Sequence, residues 1–287
     1  MLNSWAGIIF LAFLGSIMTT TMALLRRYCL NSKEKDLSTY PYLIHYNAYA
    51  TLSFLAIYLG TWGFAWPNLL AGFSRAVALS ITANLLIQLF NAKAATLAKG
   101  EVTLTAPLQA MTPGLITGMG LLFAEWPNRF GVAGVTCFAV ASYLAGWNKK
   151  PLRWYSYFIP LQKLFLALNW KDLPEDERSA TKAVWFSFGS AAFGTFGLLG
   201  DALYTRRGID MQGLILGALL LTATLCVSYL IWYIIQPDSS RKVWAELCTG
   251  FRKKYFWAIV IVGLAWVLHV ILIWPLFNHA FISYIGT

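Results

Sequence analysis

Asn84, Gln88 and Asn91 stand four and three residues apart in an otherwise apolar stretch. At about 100° per residue that spacing puts three carboxamides on one stripe of a helix. Amides in hydrocarbon want hydrogen-bond partners, so the stripe is expected to face other helices or a wet cavity. Two readings are open: hydrogen bonding between helices, or the wall of a solute pathway. A little further on, Glu101, Thr105, Gln109 and Thr112 are spaced by four, four and three, and Pro107 and Pro113 interrupt the helix that carries them. A proline removes a backbone donor and frees a carbonyl. In membranes such carbonyls are tolerated where a protein neighbour or a water-lined cavity satisfies them. The prolines therefore mark either a packing kink or a hinge and binding surface. The two stripes would lie on adjacent helices of one hairpin, which makes them the candidate pathway wall, and Asn278 joins them as the repeat-related match of Asn91.

Other polar residues suggest less chemistry. Ser190, Gly194, Gly197 and Asp201 follow one line of a later apolar span. The small residues there suit close helix packing. Asp201, near the membrane edge, is either a proton or cation site, since intramembrane carboxylates are costly and usually functional, or a solvent-exposed end residue. Lys93 falls on the opposite face from the amides and is explained by snorkelling to the headgroups. His45, His269 and His279 show no ligand spacing, so no metal site is indicated. Cys29, Cys137, Cys226 and Cys248 form no Cys-x-x-Cys pair and suggest neither a disulfide framework nor zinc. The chain lacks a Gly-Lys-Thr phosphate loop, a Gly-x-Ser-x-Gly elbow and paired carboxylates of the hydrolytic kind. An enzyme is disfavoured on these grounds, and no cofactor is expected.

The elements that would position these residues follow from composition. Hydrophobic residues make up 58% of the 287-residue chain and charged ones 12%, against about a quarter charged in soluble domains. Several apolar runs reach the roughly 20 residues that cross a ~30 Å hydrocarbon core, and no alternation of period two points to a barrel. The expectation is an all-α, polytopic transmembrane helical bundle of about eight spans: 5–25, 40–63, 71–98, 101–123, 129–147, 181–203, 212–235 and 255–283. Arg26 and Arg27 follow the first apolar run where a signal peptide would have its cleavage site, so that run is read as a retained span.

The longest interruption, 148–180, begins Asn-Lys-Lys-Pro, passes through WYSYFIPLQKLFLALNW and ends in the acidic KDLPEDER. It divides the chain into a first five-helix repeat, 1–147, a basic and aromatic linker, 148–180, and an incomplete second repeat of three helices, 181–287. The aromatic middle of the linker suits either the membrane interface or a loop packed on the bundle. Leu89-Phe90-Asn91 recurs as Leu276-Phe277-Asn278, an offset of 187 residues, and Gly15-Ser16 recurs as Gly189-Ser190, an offset of 174. First span thus matches sixth and third matches eighth, as a five-helix duplication would leave them. An odd number of helices inverts the second copy, the arrangement of inverted-repeat transporters.

The net charge of +10 is carried in short gaps between apolar runs, which points to a membrane surface as partner and not to nucleic acid. Of the lysines and arginines in those gaps, seventeen fall on one side and Arg75, Arg129, Arg206 and Arg207 on the other. The positive-inside rule makes the linker cytoplasmic and the N-terminus external. The chain is expected to be multi-pass in a plasma membrane, the bacterial inner membrane first.

Residues 89–147 resemble the EamA-type half-repeat of the drug/metabolite transporter superfamily. The resemblance rests on an Ala-rich helix ending in Lys99-Gly100-Glu101-Val102, then APLQAMTP from Ala106 to Pro113, then Phe123-Ala124-Glu125-Trp126-Pro127 leading into a Gly- and Ala-rich helix. It implies ten helices in two inverted five-helix repeats around a central cavity, working by alternating access. Substrates in that superfamily include amino acids, metabolites, nucleotide sugars and drugs. Pro113 and Glu125 match its pattern at the kink and at a helix start. The chain departs from the pattern by ending at Thr287, where the counterpart of Gly100 falls, so that about 47 residues would be missing by analogy with 101–147. Members are also pictured with cytoplasmic termini, which leaves the N-terminus open.

Three functions follow as expectations. One is a transporter of a small metabolite, such as an amino acid, sugar derivative or drug-like solute. The second is a truncated or partner-dependent membrane protein that does not transport, with a homo-oligomer or a partner chain supplying the missing helices. The third is a lipid-linked sugar flippase.

Overall fold

A computed structural model describes residues 5–30, 37–67, 73–97, 129–145, 173–205, 210–235 and 243–273, with 108, 115, 158, 159, 162 and 165 singly. The described residues form helices and no strand: α1 (Trp5–Leu30), α2 (Thr39–Trp62), α3 (Phe73–Leu97), α4 (Arg129–Ala145), α5 (Glu175–Thr205), α6 (Met211–Ile235), the short α7 (Val243–Thr249) and α8 (Lys253–Ile273). Three of them, α3, α6 and Lys253–Leu272 of α8, are long and apolar enough to cross a membrane. Helices of that length and composition fit a membrane protein.

Local chemistry sets the ends. Ser38 starts α2 with extended backbone angles, its carbonyl accepting from Tyr42 N at 3.2 Å. Gly63 stops the helix at φ 61°, a backbone conformation that a side chain would strain. Asp210 caps α6, its Oδ1 accepting from Gly213 N at 2.7 Å. The α5 helix begins at Glu175 and not near 181, so the acidic end of the expected linker is helical. The physical reason is in the residues: Pro174 precedes the helix, and Glu175 and Glu177 bring negative charge to its positive end. The expected span 101–123 lies outside the described residues, apart from Leu108 and Leu115.

The chain divides into two compact units. The first comprises Met1–Thr82 with Leu199–Ala280, the second Ala83–Leu198 with Phe281–Thr287. Each unit draws on both halves of the sequence.

In the first unit α2 packs on α6 and α8, and α8 packs also on α1. The α2–α6 pair is antiparallel: Tyr58 meets Gln212 at one end, Ile44 meets Cys226 further along, and Tyr40 meets Tyr233 at the other end. Leu43, Asn47, Ala50, Phe54 and Tyr58 make a buried stripe on α2, and Leu214, Ala218, Leu221, Leu225, Tyr229 and Tyr233 make one on α6. Steps of three and four residues keep each stripe on one face. Gly263 lets α8 approach α2 closely, since a Cβ there would stand 3.2 Å from Tyr49 Cβ and 3.4 Å from Ala50 N. On its α1 side, α8 brings the His269 ring to the Gly15 backbone.

In the second unit the later part of α3 runs against α5. Ser179 Oγ donates to Leu97 O at 3.4 Å, and Phe90 meets Phe186 and Phe193 edge-on at 5.2 and 5.6 Å between ring centres. Gly189 makes room for that phenyl ring, because a Cβ there would lie 2.6 Å from Phe90 Cδ2 and Cε2.

Candidate functional site

The amide stripe of α3 lies in the second unit. Asn84 and Gln88 are buried at 7% and 6% exposure, and Asn91 is half-buried. All three are partnered. Two of the three amides are thus buried and none is left unsatisfied, as the cost of an unsatisfied amide in hydrocarbon demands. Asn84 lies against α5: its Nδ2 is 3.8 Å from where a Cβ on Gly197 would stand. Ala83, Ile87 and Phe90 carry the apolar part of that contact, about 90° around the helix from the amides at 100° per residue.

The second expected stripe falls outside the described residues, and so do Thr105, Gln109, Thr112, Pro107, Pro113 and Asn278. Leu108, which stands between Pro107 and Gln109, is fully buried against Val184, with Ile159, Ala180 and Phe188 around them. The α5 helix therefore meets α3 along 179, 186, 189, 193 and 197 and meets Leu108 along 180, 184 and 188. Asp201 lies on α5. Ser190 is buried on the same helix. Among the described residues no group of His, Cys, Asp or Glu side chains is arranged to hold a metal ion.

A second polar constellation, which helical periodicity does not reveal, closes one end of the first unit. Glu246 of α7 accepts two hydrogen bonds on Oε2, from Tyr233 OH at 2.5 Å and from Ser38 Oγ at 3.0 Å. Tyr40 stacks on Tyr233 at 6.0 Å. One turn away His45 Nε2–H donates to Leu247 O at 2.7 Å, and the edge of Phe251 meets the His45 ring at 4.6 Å. Gly250 admits that imidazole, since a Cβ there would collide with His45 Cδ2 and Nε2. Four segments are thus tied together: the start of α2, the end of α6, α7 and the turn into α8. The same end receives the last turns of α1, where Arg26 is close enough for its charge to act on Tyr42 and Tyr46. Burial there pushes the Cys29 thiol up to about 12, so it stays protonated and inert near neutrality.

At the opposite end of α2, Tyr58 OH donates to Ala65 O at 2.6 Å, and Gln212 Nε2 donates to Ala65 O at 2.8 Å and to Tyr58 OH at 3.2 Å. Several hydroxyls within the helices bond instead to the carbonyl four residues back, as those of Thr51, Thr82, Thr195 and Thr222 do.

No protein-family model matches the sequence, and no curated protein matches it either. The functional reading rests on the residues themselves.

Proposed function

We propose that the chain is a membrane transporter for a small metabolite, of the amino acid, sugar-derivative or drug-like class, and that Asn84, Gln88 and Asn91 line part of its path. One observation carries this reading: three partnered carboxamides lie along one face of a membrane-length helix, two of them buried. Small apolar side chains could pack that face with no amide to satisfy in hydrocarbon. Leu108 packs on the same α5 helix that contacts the α3 seam.

Helix pairing supports an inverted five-helix repeat of the EamA type, working by alternating access. Gly15 of α1 meets α8, and Gly189 of α5 meets α3. Duplication would equate α1 with α5 and α3 with α8, so the two Gly-Ser matches fall at equivalent contacts. The tied end of the first unit carries Arg26, Arg27, Arg252, Lys253 and Lys254, and the positive-inside rule makes it the cytoplasmic end of a multi-pass protein in a plasma membrane.

The test is flux into proteoliposomes from a panel of labelled amino acids, sugars and cationic drugs. Gln88→Leu and Asn84→Leu are expected to cut the rate at least tenfold while the thermal midpoint moves by only a few degrees. Unchanged flux in both variants removes the stripe from the path. The partnering of all three amides favours one rival reading, a stripe that only packs helices in a protein that does not transport. In that case the wild type shows no flux and the same variants act on stability alone.

A further inference from the structure

The corner from α7 into α8 has a composition that neither the amide stripe nor helix packing uses. Trp244, Phe251 and Trp257 stand out from it at 78%, 61% and 59% exposure, and Arg252, Lys253 and Lys254 beside them are exposed. Between Val243 and Trp257 the sequence has a single carboxylate, Glu246. That carboxylate is held by the hydroxyls of Tyr233 and Ser38, so it is turned toward α2 and α6 and offers little to the exposed face. What remains outward is three cations and three large aromatic rings.

We propose that this corner is a binding surface for anionic phospholipid headgroups of the surrounding leaflet. Lys253 and Trp257 are four residues apart at the start of α8 and share one helix face. An indole ring settles at headgroup depth, and an amine one turn nearer the helix end reaches the phosphate layer. Lys254 lies over the Tyr255 ring at 5.3 Å, which sets its ammonium against an aromatic face at the same level. Clusters of basic residues just outside a membrane helix attract anionic lipid over a zwitterionic one, and the exposed indoles fix the depth at which they do so. The corner is rigidly placed: Glu246, the Leu247 carbonyl and the Gly250–His45 contact tie it to α2. A lipid held here would brace the tied end of the first unit. The proposal rests on the membrane reading and is independent of transport.

The full chain in neutral detergent is titrated with phosphatidylglycerol or phosphatidylcholine and its thermal midpoint followed. Phosphatidylglycerol is expected to raise the midpoint by at least about 3 °C more than phosphatidylcholine does, since a ligand that binds only the folded state stabilises it by mass action. R252Q/K253Q/K254Q is expected to abolish that difference, while K149Q/K150Q/R153Q is expected to preserve it. Equal shifts from the two lipids overturn the proposal, as does a lipid preference retained by the first variant. Soluble glycerol phosphate matching the effect of phosphatidylglycerol overturns it too, because the surface would then be a site for a free anion. If the first variant does not fold, photoactivatable phosphatidylglycerol on the wild type decides: crosslinks within 244–257 support the assignment, and crosslinks confined to other segments refute it.

Discussion

The α2–α6 seam of the first unit and the α3–α5 seam of the second solve the same problem with different residues. Along α2–α6 the polar contacts between helices gather toward the ends: Tyr58, Gln212 and Ala65 at one, Tyr233, Glu246 and Ser38 at the other. Between them Asn47 Nδ2 donates to Leu43 O at 2.8 Å and Thr222 Oγ1 to Ala218 O at 3.0 Å, each within its own helix, while the thiol of Cys226 meets Ile44 O across the seam at 3.6 Å. The α3–α5 seam instead has a phenyl ring seated against a glycine, with carboxamides at mid-helix. Lipid offers helices no hydrophobic drive to associate, so close contact and hydrogen bonds must supply it. The first seam is a rod clasped at both ends. The second commits polar groups to its middle as well, and that difference is the feature on which the proposed pathway builds.

The sharpest way to break the second seam is to fill its glycine. Gly189→Leu places a branched side chain where even a Cβ would overlap the Phe90 ring, and overpacking of this kind costs about 3 kcal/mol. The thermal midpoint in detergent should fall accordingly. Phe90→Ala in the same chain should recover part of the loss, because the ring that the leucine strikes is gone. If the double variant is no better than Gly189→Leu alone, the ring does not sit where the seam requires it.

The clasp of the first seam is tested at Glu246. Removing the carboxylate leaves Tyr233 OH and Ser38 Oγ without their acceptor, and hydrogen bonds to charged groups are worth about 2 kcal/mol. Glu246→Ala is expected to lower stability by roughly that amount, with Tyr233→Phe costing somewhat less because Ser38 keeps its bond. Denaturation curves of the three proteins check the order. Equal stability of Glu246→Ala and wild type would reduce the clasp to a surface contact.

That clasp also marks the limit of what the amino-acid pattern discloses. The membrane-length helices α3, α6 and α8 show in the sequence because an apolar run is a local property, and the Asn84, Gln88, Asn91 spacing shows because 3.6 residues per turn is local too. The contact of Ser38 with Glu246 joins residues 208 apart, and no period links them. α7 has seven residues, too few for a hydrophobic face to repeat. The start of α5 was obscured for another reason: the charges of Glu175 and Glu177 suggest a solvated linker until their place at a helix N-terminus is considered. Gly15 and Gly189 were visible as a repeated dipeptide, but their role as contact points needed the partners, His269 and Phe90.

A smaller effect distinguishes the far end of the clasp. Gln212→Leu removes the two hydrogen bonds that Nε2 donates to Ala65 O and Tyr58 OH. Tyr58 OH still bonds Ala65 O at 2.6 Å, so no buried group is left without a partner and the cost is about 1 kcal/mol. The comparison is informative within the first seam: the neutral end should lose less than the carboxylate end. A loss as large as that of Glu246→Ala would mean that Gln212 fixes the turn after α2 as well as the seam.

The smallest effect belongs to Thr222. It is fully buried at the centre of the α2–α6 seam, where an unpaired hydroxyl would be expensive, yet its Oγ1 donates only to carbonyls of its own helix, Ala218 O at 3.0 Å and Leu219 O at 3.2 Å. Helix carbonyls already accept backbone bonds, so deleting this donor strands nothing, and valine has nearly the same shape. Thr222→Val is expected to change stability by less than about 0.5 kcal/mol, measured as an unshifted denaturation midpoint beside Glu246→Ala. If it instead destabilises as strongly as a clasp residue, the hydroxyl must reach across to α2, and the first seam would then have a polar contact between helices at its middle.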